Sequence, residues 1–304
     1  NNPYWKTVDG VLYNKDLNEL VQYPKNKQGD LYTVLDGTVA VAKGAFYETG
    51  VKEVIFPATC TQVATYAFRN SLLEKVEFKA QGEVRLFGSA FYGCKNLSKV
   101  TLQESVKLFT ADSVFRGCES LKQFPYQNVA NIGESAFRET GIEYFEIGDE
   151  VFLGQSAFRD SQIKAVLFGA TELQYINDYA FANTPLERVS LHSSITSIAS
   201  NAFSGCKNLK EIDLKNVKSI GEHAFRESGL QSIESTLVET ISEGTFSGCK
   251  ELTSVSLPNL ITIPIWAFSG SGVVNVYMPN VLKVDVSAGE ECDGMEVMQF
   301  QDKV

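Results

Sequence analysis

The sequence predicts a solenoid in which short parallel strands stack coil upon coil, and three observations lead to this prediction. The phrase "NAFSGCKNLKEIDL" (residues 201–214) has close copies in "SAFYGCKNLSKVTL" (89–102) and "GTFSGCKELTSVSL" (244–257). Phenylalanine returns in one register at intervals of 21 to 24 residues. After each of these phenylalanines comes a segment with alternating apolar residues, which indicates a short strand.

The phenylalanine register covers most of the chain. A single coil cannot bury its apolar face, so neighbouring coils must bury it together. We therefore expect the rings to form a structural ladder inside the solenoid, with coils about 4.8 Å apart. Eleven of the 20 phenylalanines occupy the register, namely Phe46, Phe68, Phe91, Phe115, Phe137, Phe158, Phe181, Phe203, Phe225, Phe246 and Phe268.

The strand segment has the form L-x-x-V-x-L and begins five or six residues after each phenylalanine. Two examples are Leu97/Val100/Leu102 and Leu209/Ile212/Leu214. A period near 22 residues with this strand is typical of leucine-rich repeats. The sequence therefore predicts a curved, right-handed leucine-rich-repeat solenoid of about eleven repeats. We expect a parallel β-sheet on its concave face and short strands, turns or single helical turns elsewhere.

The ends of the chain depart from the period, and solenoids need caps because end coils would otherwise expose the core. We expect one domain over 1–304, with an N-terminal hairpin cap over 1–36, repeats over 37–282 and a C-terminal cap over 283–304. In the N-terminal cap, "GVLYN" and "ELVQYP" are predicted strands around a polar turn at 14–18. The C-terminal segment lacks the "AF" pair.

Four of the six cysteines stand three residues after a repeat phenylalanine, where the other units have Ser or Thr; they are Cys94, Cys118, Cys206 and Cys249. A place that accepts Cys, Ser or Thr requires a small side chain, which predicts buried packing thiols. Cys units reach the next aliphatic residue one position later than Ser or Thr units, so their turns are longer. Cys206 and Cys249 are two coils apart, too far for a disulfide, whereas distance does not exclude a bond between Cys94 and Cys118. Cys60 and Cys292 are expected to lie outside this register.

The sequence offers no motif for catalysis, a metal or a cofactor. The two histidines, His192 and His223, are predicted to be surface turn residues, and no cysteine or carboxylate pattern completes a zinc site with them. The segment "NKDLNE" (14–19) resembles a calcium loop only in its alternating oxygen side chains, and a hairpin turn explains it better. There is no G-x-S-x-G nucleophile motif or phosphate-binding loop. We therefore expect no enzyme activity.

Composition narrows the classes of partner. A net charge of −10 without a basic run argues against nucleic acid and against electrostatic docking on anionic lipid. No apolar stretch approaches the roughly 18 residues of a membrane span. The chain starts at Asn1 rather than methionine, so we expect that an upstream segment was removed. A secretory signal or lipoprotein leader fits this, and so does a trimmed recombinant chain.

The pattern "I-G-x-x-A-F-x-G-C-x-x-L-x-x-V-x-L-P" resembles the BspA-like leucine-rich repeat family of bacteria. "IGESAF" (132–137), "IGEHAF" (220–225) and "SGCKELTSVSLP" (247–258) carry the resemblance, and "DGVLYNKDLNELVQYP" (9–24) is similar to the segment that often precedes these repeats. The resemblance implies an extracellular or cell-surface location and, for some members, adhesion to host proteins or other cells. It implies no catalytic residues.

Binding is predicted on the concave face, because residues that flank the central aliphatic of each strand point outward. An exposed cluster of Tyr144, Ala165 and Leu167 beside Arg188 is predicted to be a protein-contact patch. The predicted protein-binding face comprises Glu53, Ile55, Lys75, Lys99, Gln123, Tyr144, Glu146, Ala165, Leu167, Arg188, Glu211, Asp213 and Tyr277.

Three functions follow from this face. The first is an exported or surface-displayed binding protein without catalysis, which recognises a protein or, alternatively, a glycan. The second is a structural spacer in an envelope assembly. The third, hydrolysis of a polysaccharide or peptide, requires converging carboxylates or a nucleophile–base pair, whereas the acidic residues on the predicted face are spread out.

Overall fold

The chain is a parallel-strand β-solenoid of about 12 turns, so the predicted leucine-rich-repeat solenoid is confirmed. The computed structural model describes residues 2–149, 151–169, 172–290, 292 and 297–299. It divides into two compact units, of which unit 1 comprises Asn1–Phe145 and Glu150–Ser161, and unit 2 comprises Glu146–Asp149 and Gln162–Val304. The prediction of one domain over 1–304 stays a prediction.

Each regular coil contributes two strands. The front strand comes from the L-x-x-V-x-L segment, and the back strand ends at the aliphatic residue five positions before the phenylalanine. In unit 1 the front strands pair in the order β10-β8-β6-β4, and the back strands form the sheet β1-β2-β3-β5-β7-β9-β11-β12-β14. The strands are β1 (Trp5–Val8), β2 (Val11–Asn14), β3 (Glu19–Gln22), β4 (Leu31–Thr33), β5 (Ala40–Val41), β6 (Glu53–Phe56), β7 (Gln62–Val63), β8 (Lys75–Phe78), β9 (Glu83–Leu86), β10 (Lys99–Thr101), β11 (Lys107–Thr110), β12 (Val129–Ile132), the first two residues of β13 (Tyr144–Ile147), and β14 (Phe152–Leu153).

Unit 2 repeats the same plan. Its front strands include the parallel pair β15-β17 and the four-stranded sheet β20-β22-β24-β26, and its back strands form the sheets β16-β18-β19-β21 and β23-β25. The strands are β15 (Ala165–Phe168), β16 (Tyr175–Ile176), β17 (Arg188–Ser190), β18 (Ser197–Ile198), β19 (Ser219–Ile220), β20 (Ser232–Glu234), β21 (Thr240–Ile241), β22 (Ser254–Ser256), β23 (Thr262–Ile263), β24 (Asn275–Tyr277), β25 (Lys283–Val284) and β26 (Val297–Gln299).

The repeat phenylalanines lie between the front and back strands and are fully buried. In unit 1 the stacked rings from Phe46 to Phe158 have centroids 4.3–5.6 Å apart. In unit 2 the stacked rings from Phe181 to Phe268 are 5.5–5.7 Å apart. Backbone hydrogen bonds join the same coils. The N–H of a repeat phenylalanine donates to the carbonyl oxygen of the residue that precedes the phenylalanine of the next coil. The Phe203 N–H, for example, bonds to the Ala224 oxygen at 2.8 Å.

Each phenylalanine turn requires left-handed backbone two residues before and two residues after the ring. Ser135 (φ 54°) and Glu139 (φ 60°) take these places around Phe137. Gly205 (φ 74°) takes the second place after Phe203, where a Cβ would lie 2.5 Å from the Asn183 side-chain oxygen. Glycine takes this left-handed place without steric cost, and at Gly205 it also leaves room for the Asn183 side chain.

At the N-terminus the two expected strands, β2 and β3, pair as an antiparallel hairpin, and further elements join it. A third strand, β1, pairs antiparallel with β2, β2 pairs antiparallel with β3, and β3 continues in parallel into β5. Tyr23 also takes a place in the ladder. Its ring stacks on Phe46 at 4.9 Å, and its N–H bonds to the Ala45 oxygen at 2.8 Å. A coil therefore begins within residues 1–36.

At the C-terminus the repeat continues past the last phenylalanine. The Phe268 N–H donates to the Ala288 oxygen at 2.9 Å. Ala288 thus has the place of the residue before a repeat phenylalanine, and Gly289 has the place of the phenylalanine itself. The Cys292 thiol lies 2.8 Å from the Phe268 oxygen, as the Cys249 thiol lies 2.9 Å from the oxygen of Phe225. The expectation that Cys292 lies outside the register is therefore wrong. Residues 291, 293–296 and 300–304 of the expected C-terminal cap lie outside the described residues.

All six cysteines are free thiols. The repeat cysteines point at the phenylalanine carbonyl of the preceding coil, as Cys94 does toward Phe68 at 3.0 Å. Burial raises the pKa of Cys206 and Cys249 to about 11 and that of Cys60 and Cys94 to about 12. Five of the six thiols are buried, and Cys292 is half-buried.

Removing a ladder ring should destabilise the protein far more than removing an exposed ring. We expect Phe137→Ala to lower the free energy of unfolding by about 3–5 kcal/mol, because a buried aromatic leaves a cavity. Phe152→Ala is the matched control, since this ring is 51% exposed in the same unit, and we expect a change within about 0.5 kcal/mol. Urea unfolding followed by circular dichroism measures both. Equal losses would contradict the ladder.

The thiols should react in two classes. At pH 8 a group with a pKa of about 11 is ionised in about one molecule in a thousand, and only the thiolate is nucleophilic. We expect one fast equivalent of a disulfide reagent, at the half-buried Cys292, and five further equivalents only after denaturation. Cys292→Ser should abolish the fast phase, whereas Cys206→Ser should leave it unchanged. More than one fast thiol would contradict the buried positions.

Candidate protein-binding surface

The front face is the surface formed by outward side chains of the front strands. In unit 1 the registers of β4, β6, β8 and β10 align two columns of such side chains. Glu53 lies beside Lys75, which lies beside Lys99, and the Lys75 ammonium is 3.5 Å from the Glu53 carboxylate. Ile55 lies beside Glu77 in the second column. The predicted face residues Glu53, Ile55, Lys75 and Lys99 thus lie on one continuous sheet.

A recess of about 220 Å³ opens at the edge of this sheet in unit 1. Its lining combines Leu31, which is 55% exposed, with charged side chains, among them Lys52, whose ammonium lies 3.2 Å from the Asp30 carboxylate. Exposed ion pairs of this kind contribute little to stability. The recess therefore presents both apolar and charged groups to a partner.

The coil that carries Gln123 forms no front strand, although the sequence predicts one there. Pro125 has no N–H to donate to a neighbouring strand, and the chain continues into a short 3-10 helix, Tyr126–Asn128. Phe124 keeps the inward position, and its ring packs edge-on against Phe115 at 5.1 Å. Gln123 is exposed but lies outside any strand.

Tyr144 belongs to unit 1 and is 42% exposed. Its ring meets the Tyr126 ring edge-on at a centroid distance of 5.5 Å. Tyr126 was missed by sequence reasoning because it occupies no periodic position of the repeat. The signal that points to it is Pro125, which ends the strand pattern and turns the next aromatic residue toward Tyr144.

Ala165, Leu167 and Arg188 belong to unit 2, together with Glu146. Strands β15 and β17 place Ala165 beside Arg188 and Leu167 beside Ser190. Leu167 is 36% exposed, Arg188 is exposed, and Ala165 and Glu146 are half-buried. The prediction that these residues form one patch with Tyr144 stays a prediction.

The coil of Glu211 and Asp213 also lacks its predicted front strand, Leu209–Leu214. The Asp213 carboxylate accepts the Lys215 N–H at 3.0 Å and pairs with the Lys215 ammonium at 3.0 Å. Such a local turn competes with strand pairing. The same side-chain bond to Lys215 is the main reason that the pKa of Asp213 is lowered.

The missing strand leaves a cleft of about 490 Å³ between β17 and β20. Four carboxylates and one cation line it, so the cleft favours positively charged groups of a partner. Sequence reasoning found Arg188, Glu211 and Asp213 but missed the depression itself, because the L-x-x-V-x-L pattern predicts a regular strand in this coil. The lining residues are Glu187, Arg188, Val189, Glu211, Ile212, Asp213, Ser232 and Glu234.

Farther along the front face of unit 2, Tyr277 on β24 lies beside Ser256 on β22 and is 55% exposed. Val276, between the outward residues of β24, is buried. A large exposed aromatic side chain on a rigid strand is a common anchor in protein interfaces.

Both histidines make contacts with polar groups through a ring nitrogen. The His192 Nδ1 lies 2.9 Å from the Ser194 hydroxyl, and the His223 Nδ1 lies 3.1 Å from the Glu243 oxygen. Within the described residues, no three His, Cys, Asp or Glu side chains converge as metal ligands. In the same part of the chain, no helix has the length and apolar character to cross a bilayer.

The fold is similar to that of several solved structures. The pneumococcal vaccine antigen PcpA is 17% identical, with 93% of this chain and 76% of that chain covered and a TM-score of 0.54. A leucine rich cell surface protein from Faecalibacterium prausnitzii A2-165 is 20% identical, with 94% and 95% covered and a TM-score of 0.47. At such identities the PcpA likeness shows the fold alone. No curated protein matches the sequence.

Family membership follows from the sequence itself. The family described as "BspA type Leucine rich repeat region" matches this chain in six copies, over residues 39–164 and 174–296. These two ranges cover most of the 304 residues. The chain therefore belongs to the BspA-type leucine-rich repeat family.

Proposed function

We propose that the chain is a non-catalytic binding protein, exported or displayed on a bacterial surface, that recognises a protein ligand through its front face. The location is supported by membership of the BspA-type family and by the description of the pneumococcal structural relative as a vaccine antigen.

One observation supports the binding role. The inward residues of neighbouring front strands are the same, whereas their outward residues differ. The inward residues Val54, Val76 and Val100 are all buried valines. Beside them, one outward column changes from Leu31 through an acid to two lysines. Identical inward residues meet the requirement of the core. A varied set of side chains on a rigid sheet is suited to recognise one particular surface.

The composition of unit 2 favours a partner with basic and apolar side chains. The cleft between β17 and β20 carries four carboxylates against Arg188. Leu167 and Tyr277 expose apolar surface on other front strands of the same unit. Acidic groups steer a basic partner by long-range attraction, and exposed apolar groups hold it by desolvation.

A front-face substitution should abolish binding, whereas a back-face substitution should not. The native chain is immobilised and exposed to a panel of extracellular-matrix and bacterial envelope proteins. For a captured protein, we expect Leu167→Asp and Tyr277→Asp to weaken binding at least about tenfold, or 1.4 kcal/mol. Tyr175→Asp is the control, because this tyrosine is 47% exposed on the back strand β16. If only the control variant lost binding, this would contradict the proposal that the partner binds the front face.

Cleft charge should control the rate of association. We expect Glu211→Gln/Glu234→Gln to slow association with a captured basic protein about tenfold at low salt and less at high salt. The control Glu222→Gln/Glu239→Gln makes the same change in charge at two exposed residues outside the cleft lining. Surface plasmon resonance at two salt concentrations measures both. Equal slowing by both pairs would mean that net charge, not the cleft, attracts the partner.

A further inference from the structure

The turns that follow the phenylalanines of unit 2 alternate in length. Phe203 and Phe246 lead into Cys-type turns, whose next aliphatic residue comes six positions later, whereas the Phe225 turn takes five positions. The three rings stack in order, so the short turn lies between the two longer ones. The short turn must therefore be recessed between two projecting neighbours.

The structure shows a recess at this place, the turn recess, with a volume of about 620 Å³. Its floor is the short turn, where Ser228 and Gly229 are buried. A Cβ on Gly229 would lie 2.0 Å from the Lys207 carbonyl oxygen, so only glycine lets the short turn fit this closely beneath its neighbour. The lining residues are Lys207, Lys210, Arg226, Glu227, Ser228, Gly229, Ser247, Gly248, Lys250, Glu251, Ser269 and Gly270.

The lining of the turn recess carries four cations against two carboxylates, in a chain whose net charge is −10. The cations are Lys207, Lys210, Arg226 and Lys250, and the carboxylates are Glu227 and Glu251. Arg226 pairs with Glu227 at 3.2 Å, but within the described residues Lys207, Lys210 and Lys250 form no salt bridge. Three ammonium groups thus remain available to an anion.

A lysine at the equivalent place in unit 1 behaves differently. Lys95 follows Cys94 as Lys207 follows Cys206, and its ammonium pairs with the Glu119 carboxylate at 2.9 Å. Glu119 follows Cys118, in a second Cys-type turn directly after the first. No short turn lies between these two, so Lys95 provides the same side chain without a recess.

The lining identifies the chemistry of the ligand. Ammonium groups bind phosphate-type oxyanions as point charges, and the guanidinium of Arg226 in the same lining also has a geometry that suits such an oxyanion. The hydroxyls of Ser247 and Ser269 and the glycine backbone are polar, and the lining has no aromatic side chain. Such a lining suits hydroxyl groups of a ligand rather than an apolar body. The volume lies in the range of small-ligand sites.

We propose that the turn recess of unit 2 binds a sulfate or phosphate ester carried on a polyol, with Lys207, Lys210 and Lys250 around the oxyanion and Ser247 and Ser269 near the hydroxyls. This site is separate from the front face, because it is built from the phenylalanine turns. A sulfated sugar and a glycerol phosphate unit share this chemistry.

Titration calorimetry tests the proposal with two probes, a sulfated tetrasaccharide and a glycerol phosphate tetramer, and with the unsulfated tetrasaccharide as the reference. We expect at least one charged probe to bind and the reference not to bind. The two probes distinguish a sulfated glycan from a glycerol phosphate polymer. Lys207→Gln/Lys250→Gln should weaken binding about a hundredfold, at about tenfold for each lost charge-assisted contact.

Lys95→Gln is the matched control and should leave the Kd unchanged, because its ammonium already pairs with Glu119. Ser247→Leu keeps every lysine but occupies the recess, and it should also weaken binding at least about tenfold. Circular dichroism melting checks that each variant is folded. Tight binding of polyglutamate, equal affinity in the double lysine variant, or no binding of either charged probe would overturn the proposal.

Discussion

The structure depends on the joint between one phenylalanine turn and the next. At this joint a backbone N–H donates to a carbonyl of the following coil, and the two rings stack within 12° of parallel. Neither interaction is available to a coil alone, since the ring and the backbone groups find their partners only on a neighbour. Each coil is therefore stabilised by adjacent coils, and the phenylalanine, the residue before it and the left-handed positions around it are fixed by packing.

This constraint determines where recognition is possible. Inward residues must satisfy neighbours on both sides, so sequence variation is restricted to outward residues and to turn lengths. Outward variation gives the front face its mixture of Leu31, Lys75 and Tyr277, all exposed. Variation in turn length gives unit 2 the turn recess. The two proposed sites therefore come from the two features that stacking does not fix, the outward side chains and the turn lengths.

The period and the strand alternation predicted the fold class, because both reflect stacking directly. What they missed depends on individual residues. Tyr23 and Gly289 occupy the phenylalanine place without being phenylalanine, so alignment on Phe could not extend the register to either end. The L-x-x-V-x-L pattern predicted strands at Gln123 and Glu211. The structure instead has Pro125 and a 3-10 helix in the first coil and an Asp213–Lys215 turn in the second. A periodic pattern reports the average coil and does not report where a proline or a local side-chain turn replaces the strand of one coil.

The net charge is also a property of the whole chain, so it does not predict which ligand binds at one place. The value of −10 is a sum over the whole chain, whereas salt screens the field of each exposed charge within about 8 Å at physiological ionic strength. It therefore argues against long phosphate backbones and membrane surfaces, which contact many parts of a protein at once. It does not describe the local charge of a recess lined by Lys207, Lys210 and Lys250. In unit 2 the front cleft is acidic and the turn recess is basic, because they are built from different segments of the same coils. A protein partner and an anionic polyol could therefore bind this unit without competing for the same charges.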